Sequence, residues 1–87
     1  MSNQTSIEAI FSEVIRESRM QNNWTQESVA EVIDTSPRWY QMIEKSGKLP
    51  GGMTLLRILV LYDVDLRIFR DALQLSEPTP AKRKRER

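Results

Sequence analysis

Two helix starts stand only eleven residues apart in the segment TQESVAEVIDTSPRWYQMIE, Thr25 to Glu44. Thr25 is of a type that accepts hydrogen bonds from the free N–H groups of a first helical turn, and Glu27 suits the positive end of a helix dipole. Ser36 repeats the signal. Pro37 then takes the first helical position, where its missing N–H is harmless. Between the two starts Val29, Ala30, Val32 and Ile33 supply an apolar face, and Asp34-Thr35 supplies a turn. Two short helices joined by a three- or four-residue turn form a helix-turn-helix. The tight turn makes the helices cross steeply, so the first braces the second. The small Ala30 allows close approach, and Thr35 faces inward.

The flanking sequence supplies more helices. Thr5-x-x-Glu8 reads as a capping box. Ile7, Ile10, Phe11, Val14 and Ile15 recur at helical spacing, with Ser18 continuing the stripe, which predicts a helix over about 6–21 ended by Asn22-Asn23. The run SGKLPGG, Ser46 to Gly52, is a loop by composition. A fourth helix is expected to open at Met53 or Thr54. Its run LLRILVLY is apolar nearly all round, the pattern of a buried central helix. Asp63 breaks it. Asp65 is expected to cap a short fifth helix carrying Leu66, Phe69, Ala72 and Leu73. The tail SEPTPAKRKRER has two prolines and no large apolar residue, and it is expected to be disordered. The reading is an all-α domain over 1–75 and a basic tail over 76–87.

Composition narrows the chemistry. The chain has no cysteine, which excludes disulfides and thiolate metal sites, and no histidine, which removes the commonest general base and metal ligand. No nucleophile–base pair is visible, and Gly47, Gly51 and Gly52 lie between helices without the strand that a phosphate-cradling loop follows. Asp63-Val64-Asp65 lacks the further oxygen ligands of a metal site. No catalytic residue, cofactor or metal is therefore expected, and the chain does not read as an enzyme. The N-terminus lacks the basic and apolar regions of a signal peptide, and the longest apolar run, Ile58 to Tyr62, is too short to span a bilayer. A cytoplasmic location with no membrane partner is the expectation. Residues 1–75 carry eight basic and ten acidic side chains, a net of −2, while residues 76–87 carry five and two, a net of +3. Any nucleic-acid contact by the folded part must use a local patch.

The ordered set Arg16, Arg19, Thr25-Gln26-Glu27, Ala30, Ser36, Trp39-Tyr40, Ile43-Glu44, Leu49-Pro50, Thr54-Leu55 and Val64 resembles the Cro and lambda-repressor-like regulators, the XRE-like helix-turn-helix family. The resemblance covers about residues 10–73. It implies a compact five-helix, lambda-repressor-like DNA-binding domain with the helix-turn-helix at helices 2 and 3. It implies that Gln26 grips a phosphate, that helix 3 is the recognition helix, and that Arg19 pairs with Glu44. The chain departs from the family pattern in several places. Asn23, Asp34 and Asp63 stand where glycine is usual. Tyr40 replaces a core aliphatic residue, so its ring needs room or its hydroxyl needs water. Pro37 and Met42 occupy positions that often carry polar base-reading side chains.

The double-stranded DNA reading assigns roles to Gln26, Ser36, Pro37, Arg38, Trp39, Gln41, Met42, Lys45 and Lys48. An exposed, braced helix fits the major groove with its N-terminal residues nearest the base edges. Arg38, in the first turn of the helix over 37–45, is the expected guanine reader. Gln41 would read adenine or touch a phosphate. Pro37 and Met42 would pack on thymine methyls, Trp39 would lie along the backbone, and Gln26, Lys45 and Lys48 would contact phosphates. The plain alternative for each is an ordinary surface residue, a cap or packing against helix 2. A single recognition helix reads few base pairs, so a homodimer on a palindromic operator is expected, with Leu66, Ile68, Phe69 and Leu73 as interface candidates. A repressor is the expected role. The rival is a protein-binding module on the same fold, such as an antitoxin or anti-repressor, since aromatic residues and methionine are enriched at interfaces.

Overall fold

In the computed structural model, which describes residues 6–81, the regular structure is five α-helices. They are α1 (Ile7–Gln21), α2 (Gln26–Val32), α3 (Pro37–Ser46), α4 (Gly52–Leu61) and α5 (Arg67–Ala72). The hydrogen bonds that start α2 and α3 are those their sequences encode. Thr25 Oγ1 accepts from the Ser28 N–H at 3.0 Å, and Ser36 Oγ accepts from the Trp39 N–H at 3.1 Å. α1 is capped by Ser6, whose side chain accepts from the Ala9 N–H. Thr5, the expected first member of a capping box, lies outside the described residues.

Helix ends follow one scheme. Asn23, Asp34, Asp63 and Gln74 each take a left-handed conformation, with φ of 58°, 62°, 51° and 57°. In each case the next residue's N–H returns to a carbonyl five positions back: Trp24 to Arg19, Thr35 to Ala30, Val64 to Leu59 and Leu75 to Arg70. This bond closes a helix by satisfying a carbonyl that has no partner inside it. α3 ends instead on Gly47, with φ 75°.

α3 lies against both α1 and α2. Phe11 and Ile15 of α1, Val29, Ala30 and Ile33 around α2, and Tyr40 and Ile43 of α3 form the core with Ile58 and Tyr62. Burying one such large side chain contributes about 1.5–3 kcal/mol. Ala30 is fully buried, and Thr35 is half-buried behind the turn. Gly47 sits so close to α1 that a Cβ there would lie 1.8 Å from the Glu8 carbonyl oxygen.

Three expectations need correction. α4 opens at Gly52 with Gly51 as its N-cap, ahead of Met53 and Thr54, because Gly51 adopts the extended entry conformation and no side chain caps the turn. α4 is also not buried all round. Ile58 alone within it is fully buried, whereas Leu56 is 57% and Val60 76% exposed. An all-apolar helix is buried only where neighbours cover every side, and the other described helices cover one side of α4. α5 starts at Arg67, so Leu66 precedes it, and none of its residues is fully buried. Asp65 still serves the turn, with Oδ1 accepting from the Arg67 N–H at 3.1 Å. After α5, residues 75–81 have no regular structure, and Glu77 Oε2 approaches Arg70 Nη2 to 3.7 Å. The rest of the basic tail, residues 82–87, lies outside the described residues.

Candidate nucleic-acid interface

α3 divides into two faces. Tyr40, Ile43 and Glu44 are buried, while Arg38, Gln41, Met42 and Lys45 are exposed. The exposed four follow the i, i+3, i+4, i+7 spacing of one helical stripe. Ser36 and Pro37 stand exposed at the start of the helix, and Lys48 is exposed just beyond its end. Trp39 is half-buried and packs on the core edge, with Lys48 Nζ 5.7 Å from its ring centroid. The Ser36 hydroxyl is occupied as an acceptor by the helix cap, which leaves its proton free for another partner.

The inward face is fixed by a polar cluster. Arg19 of α1 meets Glu44 of α3 through two parallel bonds, Nε to Oε2 and Nη2 to Oε1, each 2.8 Å. Arg19 Nη1 also donates to the Trp24 carbonyl at 3.0 Å, and the Ser12 hydroxyl donates to the Glu44 carbonyl. Gln26 does not stand free at the start of α2. Its Nε2 donates to Glu44 Oε1 at 3.0 Å. Burial by itself would raise the Glu44 carboxyl, but the hydrogen bonds it accepts, Arg19's first among them, hold it below the usual glutamate range. Arg19 is pushed higher still by its hydrogen bond to Glu44.

Tyr40 is fully buried, so its hydroxyl does not reach water. It lies 2.5 Å from the Tyr62 hydroxyl. Burial pushes Tyr62 up to about 12 and lifts Tyr40 further. Tyr62 in turn stacks on Trp24 with centroids 6.0 Å apart. Sequence reasoning missed Ser12, Trp24 and Tyr62 as members of this cluster. The signal present was Tyr40 itself, a hydroxyl on an apolar face that requires a partner.

Three of the four expected dimer residues, Leu66, Phe69 and Leu73, line one groove, and Ile68 lies outside it. Leu66 and Leu73 are exposed and line a groove of about 620 Å³, whose floor is formed by Phe11, Leu55, Leu59 and Phe69. Phe69 is half-buried, its ring 6.3 Å from that of Phe11. Ile68 is exposed but does not line the groove. A second apolar depression lies between Val32, Leu56 and Val60. No described helix is long and apolar enough to cross a membrane.

A helix braced from behind, with Arg38, Gln41, Met42 and Lys45 in a stripe in front, is the arrangement of a helix-turn-helix domain. A family profile described as helix-turn-helix matches residues 15–69, and the chain belongs to this family of XRE-like DNA-binding regulatory domains. Comparison with curated proteins and with solved structures gives no match.

Proposed function

We propose that the protein is a transcriptional repressor that occupies a palindromic operator as a homodimer in the cytoplasm. The observation that carries this reading is the outward stripe of α3, Arg38, Gln41, Met42 and Lys45, on a helix locked from behind by Glu44. Arg38 reads guanine, Gln41 reads adenine or meets a phosphate, and Pro37 and Met42 touch thymine methyls. Ser36, Trp39, Lys45, Lys48 and the remaining Gln26 N–H meet the sugar-phosphate backbone. The start of α4 has no side-chain cap, which leaves first-turn backbone N–H groups available to a phosphate. Leu66 and Leu73 enter the α5 groove of a second copy. A self-complementary patch of this kind suits a twofold interface.

The test is selection of bound duplexes from a random pool at near-physiological salt. The expected result is enrichment of a palindrome, whose half-site spacing gives the dimer geometry. An unpaired motif retains DNA recognition and removes the dimer. No enrichment removes DNA as the specific ligand of the protein alone. The exposed apolar depression at Val32, Leu56 and Val60 favours an additional protein partner, since such patches mark contact sites. Retention on duplex after deletion of residues 76–87 separates binding by the folded body from binding by the tail.

A further inference from the structure

Among the proposed phosphate contacts, the Gln26 amide is one the fold has already engaged. A carboxylate has no proton to donate, so Gln26 must face Glu44 with its nitrogen rather than its oxygen. That nitrogen carries two hydrogens. Glu44 takes one, and the other remains on a residue that is only half-buried. Glu44 cannot swing away, because both its oxygens are held by Arg19 and its side chain is 5% exposed. Pro37, at the start of the neighbouring helix, offers Gln26 no polar side-chain atom. The contacts therefore run from α1 through α3 to the first residue of α2.

The charge balance matters as much as the geometry. A lone carboxylate behind Gln26 would repel a phosphate. The two parallel bonds from Arg19 neutralise it, and a hydrogen bond to a charged acceptor polarises the amide for its second bond. We propose that Glu44 is a positioning residue for DNA binding, holding the Gln26 amide so that its free N–H meets a backbone phosphate oxygen. This rests on the DNA-binding reading above and deepens it.

The test is a double-mutant cycle on duplex affinity, using the selected duplex. Gln26→Ala is measured in the wild-type chain and in an Arg19→Met/Glu44→Leu chain, where apolar groups of similar length replace the ion pair, a swap that proteins often tolerate. Gln26→Ala is expected to weaken binding by roughly tenfold with the pair present and by less than about twofold without it. A pair that is only structural would lower the melting temperature and leave the two losses equal, which overturns the proposal while DNA binding stands. If no duplex binds the wild-type chain, the DNA reading fails and takes this proposal with it. Should the apolar-pair chain not fold, the side-chain amide NMR signals of Gln26 in the wild-type chain decide the matter. The expected result is that one of the two proton signals moves on duplex addition while the other, bonded to Glu44, keeps its position. Movement of both signals, or of neither, overturns it.

Discussion

At the scale of single residues, Gly47 is the position at the end of α3 least open to replacement. It ends α3 in a left-handed conformation, and its missing Cβ is what lets it lie against the Glu8 carbonyl of α1. Gly47→Ala is expected to cost more than about 2 kcal/mol, since conformational strain adds to a steric overlap that only movement of α1 relieves. Urea denaturation measures it. Glu44 gives a second expectation, through pH. Its folded carboxyl lies below its unfolded value, so the pair's contribution is complete above the ordinary glutamate range and is lost as pH falls through the folded value. The urea midpoint of the wild-type chain should therefore fall more steeply on acidification than that of Arg19→Met/Glu44→Leu. Caps such as Thr25 and Ser36 were legible in sequence because their partners lie three residues away. The Tyr40–Tyr62 and Gln26–Glu44 contacts span 22 and 18 residues, and no local pattern encodes them.

At the scale of elements, the departures from glycine at Asn23, Asp34 and Asp63 change the residue and keep the turn. All three hold the left-handed conformation that the helix endings need. Leaving that strain on a side chain costs about 1 kcal/mol, and glycine's extra freedom in the unfolded chain returns about half of it. Asp34→Gly should therefore raise the melting temperature by roughly 2–4 °C, as read by circular dichroism. The positions of α2 and α3 were legible because caps and turn residues bracket them tightly. The environment of α4 was not. An apolar run states that a helix prefers burial, but not how many neighbours exist to provide it, and Leu56 and Val60 are left exposed.

At the scale of the whole molecule, the proposed dimer depends on residues that can be changed without touching the core. Leu66 and Leu73 are more than half exposed, so replacing them should leave the protomer folded. Leu66→Glu/Leu73→Glu is expected to sediment as a monomer with unchanged helical content, and to lose at least about tenfold in affinity for a palindromic duplex, since the second half-site no longer binds jointly. Retention of a dimer by this variant moves the interface elsewhere, with the Val32, Leu56 and Val60 depression as the next surface to change. Sequence showed apolar residues around α5 but not their arrangement. Phe69 turned inward to Phe11, and Ile68 fell outside the groove.

The chain's two tryptophans occupy different parts of this architecture. Trp24 stacks on Tyr62 behind the helix-turn-helix, and Trp39, on α3, lies beside Lys48. Their fluorescence therefore separates two events optically. With Trp39→Phe, the emission of Trp24 reports unfolding and should stay constant as duplex is added. With Trp24→Phe, the emission of Trp39 should change on the first addition of duplex, giving a label-free titration of binding in a protein that carries its own probe.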